Sequence, residues 1–345
     1  MRTILLAASI AVAAGLLQPA HTAQGQPDIL LITLDTTRAD RMGFLGSTRG
    51  LTPSMDALAK TATVFASAYA QAPITTVSHA TILSGTYPPF HGVDDFGAPL
   101  PAAVPYLPDL LKASGYHTAA FVGSLILDPR NGTAPGFDRG FDVYDAGFRL
   151  RRPGEDRYAT VERRGDEVTR RATAWIANTK NLLGGTGRPF FVWVHLFDPH
   201  DPYEPPSDLQ ARFAKEPYDG EIAFTDRQVG RLVAAAGRDA TIVIAGDHGE
   251  SLGDHGETTH GVFLYDATLR VPLIVRAPAG RGAGMRIATR VRLADIAPTI
   301  LEGAGVKAPP AMQGRSLLPL MRDGAKAEDL PVYAESSYPR RAFGW

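Results

Sequence analysis

Four residues from three distant segments combine the types that hold a divalent cation beside an activated hydroxyl: Asp35, Thr75, and the pair Asp247 and His248. Two carboxylates and an imidazole offer hard and borderline donors. The Thr75 hydroxyl can serve as a ligand or, once its proton is drawn away, as a nucleophile. Thr75 opens the stretch from Thr75 to Gly92, in which residues 78–83 have helical character after a polar turn. The unpaired N–H groups and positive dipole end at that helix start would face Thr75 and suit an anionic ester. Asp35 and Asp247 each close an apolar run, Ile29 to Leu34 and Thr241 to Gly246, short enough to be a buried parallel strand. In open α/β sheets ligands bind at the carboxyl ends of such strands. Each residue also has a bland reading, since Asp after a strand and Thr before a helix are common caps. Two carboxylates in matching contexts with His248 adjacent favour the ligand reading, and a metal pair in turn calls for a partner at Thr75.

Positioning those residues requires a sheet. Apolar runs alternate with helical patterns, which argues for βαβ units and a largely parallel sheet. Strands are expected at 28–34, 118–122, 190–197, 241–245 and 272–276, and helices at 53–61, 78–83, 106–113, 166–178, 218–235 and 295–302. The segment 128–162, rich in Gly, Arg and Asp, reads as an excursion over the active-site face.

In this order the segments resemble the sulfatase-like branch of the alkaline phosphatase superfamily, over about Pro27 to Met321. Asp35 to Asp40 is similar to the family's first metal segment, and Thr75 to Gly92 to its nucleophile motif. Val194 to Tyr203 is similar to the segment carrying an active-site histidine, here His200. Asp247-His248-Gly249-Glu250 is similar to the second metal segment, and Thr259-His260-Gly261 to a region that places a cationic group near the ester. The resemblance implies a three-layer α/β/α sandwich of alkaline phosphatase type, with His200 and His260 as acid or base at the site and Asp35, Thr75, Asp247 and His248 around the metal.

Departures from the sulfatase pattern direct the chemistry. Family sulfatases use a formylglycine made from Cys or Ser, and this chain has no cysteine. Thr75 stands in that position, with Val77 for the usual Pro and His79 for the usual Arg; Ser78 lacks the following modification motif. Thr36 replaces a second metal-binding Asp and His248 replaces an Asn. These changes favour zinc or manganese ahead of magnesium or calcium. The set resembles the threonine-nucleophile phosphotransferases and phosphodiesterases of the superfamily, which implies a hydrolase or transferase acting on a phosphate mono- or diester. Two alternatives stay open: a sulfatase without formylglycine, and a non-catalytic metal-binding protein of the same fold. The substrate class is a small-molecule, lipid or glycan ester.

The remaining candidates read as scaffold. His91, His195 and His255 are expected to be structural, Asp198 structural rather than a ligand, and Arg38 with Asp40 a local ion pair. His79 divides evenly between orienting the site and packing. A net charge of −1, with no Lys/Arg cluster interleaved with aromatics, offers no footprint for nucleic acid. The apolar run from Ile4 to Leu17 after Arg2 reads as part of a signal peptide over 1–23, implying a secreted or periplasmic protein. At about 14 residues that run is short against the ~20 of a membrane span, so an uncleaved anchor is the second choice. The catalytic domain is expected at 27–330, and 331–345 as the start of a truncated C-terminal region.

Overall fold

The central strands of this chain come from short, largely apolar runs that are buried at every position, a pattern that needs a sheet covered on both faces. The computed structural model, which describes residues 25–149, 152–155, 160–183, 188–325 and 328–345, contains that sheet. The expected leader at 1–23 lies outside the described residues. In chain order the strands are β1 (Ile29–Leu34), β2 (Thr63–Phe65), β3 (Ala68–Tyr69), β4 (His117–Val122), β5 (Val143–Asp145) and β6 (Phe190–Leu196). They continue with β7 (Thr241–Gly246), β8 (Arg270–Val271), β9 (Leu273–Arg276), β10 (Arg286–Ile287) and β11 (Val291–Arg292). Eight of them form one sheet in the order β10-β2-β9-β7-β1-β6-β4-β5, and β11-β3-β8 form a small second sheet. The run from β7 to β5 is parallel throughout, whereas β9 runs antiparallel to β7 and β2.

Side-chain alternation sorts the core into two layers. Leu30, Ile32 and Leu34 of β1 pack with Val192, Val194 and Ile244 beneath the helices Gly165–Leu183 and Pro217–Ala236. Ile29 and Leu31 pack with Phe191, Trp193 and Val243 beneath Thr75–Ser84 and Ile296–Gly303. Each fully buried large apolar side chain contributes about 1.5–3 kcal/mol, so the three-layer α/β/α arrangement is held from both faces of β1, β6 and β7. The expected helices are all present, although the one expected at 78–83 spans Thr75–Ser84. Its extra turn forms because the Thr75 and Thr76 hydroxyls bond to groups elsewhere in the fold and do not compete for the local backbone.

Two segments hold structure that the sequence reading did not specify. Within 128–162 the chain lays down β5, which pairs with β4 and extends the sheet. Residues 331–345 fold back on the body: Glu335 N donates to Gln71 O at 3.0 Å, and Tyr338 packs against Ala72, Ile74 and Val77. Among the described residues, no helix is long and apolar enough to cross a membrane.

Candidate active site

Register brings the site together. In the parallel pairings Leu34 lies beside both Leu196 and Gly246, so the residues just past β1 and β7 emerge side by side. The backbone ladder carries one step further, with Asp35 N donating to Leu196 O and Asp247 N to Leu34 O, each at 3.0 Å. Period-2 parity then decides the face. Leu31, Thr33 and Asp35 share a side with Trp193 and His195 and with Val243, Ala245 and Asp247, and that side faces the helix Thr75–Ser84. Thr75 is the first residue of this helix.

Asp35, Asp247, His248, His79 and His195 are fully buried, and Thr75 is 2% exposed. Ligand atoms of Asp35, Asp247 and His248 lie within 4.8 Å of one another, as do those of His79, His195 and Asp247. Thr75 Oγ1 is 3.3 Å from Asp35 Oδ1 and 3.2 Å from His248 Nε2. His248 Nδ1 faces Gly249 O at 3.0 Å, which makes Nδ1 the protonated nitrogen and leaves the Nε2 lone pair turned toward Asp35 and Thr75. Asp35 Oδ2, Asp247 Oδ2 and His195 Nε2 are buried with no hydrogen-bond partner. Carboxylate oxygens and imidazole lone pairs thus converge with the Thr75 hydroxyl as the donor between them. Such an acceptor-rich, water-excluded site fits a divalent cation, and Asp35, Asp247 and His248 could hold it.

Charge placement around the cluster is uneven. Burial and the adjacent Asp35 carboxylate push Asp247 well above its ordinary range. Burial opposes the charged form of Asp35 too, but His195 against its carboxylate, with His200 and His248 nearby, outweighs that and holds it low. Burial, with His260 alongside, lowers His248 to about 3, so its imidazole is neutral. Thr36, in the position of the second family carboxylate, takes a left-handed φ of 43°. Its hydroxyl donates to Pro199 O, away from the cluster.

The two histidines proposed as acid or base stand beside the cluster rather than in it. His260 lies 4.5 Å from His248 between ring centroids and 5.4 Å from His200. Its Nδ1 faces Glu250 Oε1 at 3.2 Å. Burial alone would lower His260, but the Glu250 charge and hydrogen bond raise it above its ordinary value. Glu250 is itself fully buried and accepts from Tyr203 Oη at 2.9 Å; neither residue stood out in the sequence. His200 stacks on Phe197 at 4.4 Å and donates from Nδ1 to Asp201 O at 2.6 Å, leaving Nε2 for chemistry.

Other singled-out residues fall into place around these. His79 bonds to the start of the helix and to β1: its Nδ1 faces Thr75 O at 2.7 Å and its Nε2 faces Thr33 Oγ1 at 2.8 Å. Arg38 pairs with Asp40 at 2.7 Å as expected, and also ties the first metal loop to Glu250 O, Ser251 O and Asp254. His91 sits in the scaffold, bonded to Thr81 at 3.0 Å. His255 stacks on Tyr265 at 3.6 Å. His195, read as structural, lies 3.3 Å from Asp35. Its parity with Trp193 along the strand was the signal that could have placed it there. Asp198 receives the Gly165 N–H at 2.9 Å at the start of the helix Gly165–Leu183. Its other oxygen joins Glu162 and Glu221 in a buried carboxylate group beside Arg164.

Known proteins share this fold and much of this sequence. The Sulfatase family model matches residues 27–306. The chain is 26% identical to the Ulvan-active sulfatase of Formosa agariphila over 86% of its own length, spanning 65% of that protein. It is 26% identical to the Delta 4,5-hexuronate-2-O-sulfatase of Bacteroides thetaiotaomicron, over 92% of this chain and 76% of that one. A solved phosphonate monoester hydrolase from Silicibacter pomeroyi superposes with a TM-score of 0.70 at 23% identity, over 93% of this chain and 83% of that one. The last likeness establishes the fold.

Proposed function

The chain belongs to the sulfatase family, and on that premise we propose that it is a metal-dependent hydrolase or transferase that acts on a phosphate mono- or diester through Thr75. A divalent ion held by Asp35, Asp247 and His248, zinc or manganese by the donor set, would when bound acidify the Thr75 hydroxyl and offset charge on a non-bridging oxygen. The single observation that carries the reading is the Thr75 hydroxyl within 3.3 Å of both Asp35 and His248 at a helix start.

The chain's own groups divide the remaining work. The Thr75 proton has the Asp35 carboxylate, with Oδ1 3.3 Å away, as the acceptor in reach. Thr75 Oγ1 attacks phosphorus in line, forming the Oγ1–P bond as the bond to the leaving oxygen breaks. First-turn N–H groups of the helix, which have no intrahelical acceptor, point to where the equatorial oxygens would lie. His260, kept protonated by Glu250, gives its proton to the leaving oxygen. Water or an alcohol then attacks phosphorus with His260 or His200 as base, releasing Thr75. Glycan, lipid and small-molecule esters all fit this scheme, and a leader at 1–23 would place it outside the cytoplasm.

A second reading, sulfuric ester hydrolysis by the unmodified threonine, is favoured by the names of the relatives. The two separate chemically. A formylglycine hydrate expels sulfate by breaking a C–O bond, whereas a threonine sulfate must be attacked again at sulfur. The proposal therefore expects kcat/KM for an aryl phosphate ester to exceed that for the matching sulfate by at least about a hundredfold, or ~2.7 kcal/mol. Faster sulfate hydrolysis by a clean preparation would establish the second reading instead.

A further inference from the structure

The four ring nitrogens of His79 and His195 lie around the Thr33 hydroxyl under the cluster, and their hydrogen bonds fix which nitrogen is left over. His79 Nδ1 meets a carbonyl, Thr75 O, at 2.7 Å, so it carries a hydrogen, and a neutral His79 accepts at Nε2. The atom facing that Nε2 is Thr33 Oγ1 at 2.8 Å. Thr33 has one hydroxyl hydrogen, and His79 takes it. Trp193 Nε1, which only donates, occupies one lone pair of Thr33 Oγ1 at 2.9 Å. The remaining neighbour, His195 Nδ1 at 3.1 Å, must then donate as well. In a neutral His195 the Nε2 is then the lone-pair nitrogen, fully buried and 3.3 Å from Asp35 Oδ2.

Two facing acceptors at that distance repel unless a metal ion lies against both or a second imidazole proton lies between them. We infer that His195 is a fourth side-chain ligand of the metal, through Nε2, giving a centre of two carboxylates and two imidazoles with Thr75 alongside. His79, whose nitrogens are both engaged, is a positioning residue and not a ligand, so the two overlapping clusters form one centre. The arrangement Thr33 Oγ1 to His195 Nδ1–H then plays the part that an outer hydrogen-bond acceptor plays for a metal-bound histidine, fixing tautomer and ring angle. The inference rests on the metal reading of Asp35, Asp247 and His248 given above.

The test uses metal-stripped full-length protein titrated with zinc against a chromophoric chelator, and the Co(II)-loaded protein by absorption and paramagnetic NMR. Wild type should bind one zinc, and His195→Gln should weaken it beyond the ~10–100-fold expected from loss of an outer partner while changing the Co(II) ligand-field bands. His79→Gln should leave those bands in place. Independently of any variant, Co(II) wild type should show two shifted exchangeable imidazole N–H signals, from His195 and His248. A single such signal, or a His195→Gln protein that binds zinc within tenfold of wild type with the same bands, overturns the inference and leaves His195 as an ion-pair partner of Asp35. Wild type that binds no metal overturns the metal reading itself.

Discussion

Replacing Glu221 by Gln should stabilise the protein, and more so at high pH. Glu221 Oε1 accepts from Glu204 N at 2.9 Å, but Oε2 is buried without a partner, as are Asp198 Oδ1 and Glu162 Oε1. Arg164 Nη1 is 3.7 Å from Glu162 and 3.9 Å from Asp198, too far to bond either well. Asp166 and Glu204 add further negative charge around the group. Burial first, then the Asp198 charge, pushes Glu221 up to about 9 and Glu162 to about 7. A folded pKa raised above the unfolded value means the native state binds more protons, so stability is full below about 4.5 and is lost as pH rises toward about 9. The whole rise corresponds to ~6 kcal/mol at 1.36 kcal/mol per unit. The neutral amide carries none of that proton-binding penalty at pH 8 and loses part of the gain in placing its own buried N–H donors, so it should recover about 2 kcal/mol. Glutamine keeps the acceptor for Glu204 N–H and turns an amide donor toward Asp198. At about 2 °C or more per kcal/mol, the Glu221→Gln protein should melt roughly 4 °C above wild type at pH 8 and within a degree or so of it at pH 5. Thermal melts at the two pH values decide; an unchanged or lower Tm at pH 8 would refute the reasoning.

Gly261→Ala should destabilise the site wall, because φ is +105° and a Cβ there would lie 3.2 Å from both Ile74 and Tyr338. The expected cost is about 1–3 kcal/mol with a fall in kcat/KM from displaced His260, checked by melting and steady-state kinetics. Asp247→Ala should abolish metal binding together with activity; wild-type metal content by elemental analysis would contradict the ligand assignment.

The elements that carry the chemistry were legible because strong physics writes them plainly. Runs such as Ile29–Leu34 and Thr241–Gly246 have no polar face, so they must lie inside a covered parallel sheet, and an Asp just past each must sit at its edge. The short strands β2, β3, β8, β10 and β11 were not legible, since two or three residues carry no periodicity and pair only because the surrounding fold presents an edge. The position of His195 beside Asp35 was not legible from the run alone, because a histidine within an apolar run is usually core. Its alternation with Trp193 and Phe191, set against Thr33 and Leu31 of the neighbouring strand, is the pattern that puts it beside Asp35. Glu250 and Tyr203 escaped notice because their role depends on a contact between loops 47 residues apart, which no local pattern encodes.

The proposed reaction turns on a bond from Thr75 to phosphorus, and that bond can be trapped. The enzyme is mixed with a good aryl phosphate ester, quenched in acid within a turnover, digested and mapped by mass spectrometry. The account predicts a phosphoryl group on Thr75 in wild type and none in Thr75→Ala, whose turnover should fall about a thousandfold or more while its fold is kept, since the lost hydrogen bonds amount to only about 1–3 kcal/mol. An adduct on Ser78, or active Thr75→Ala enzyme, would contradict it.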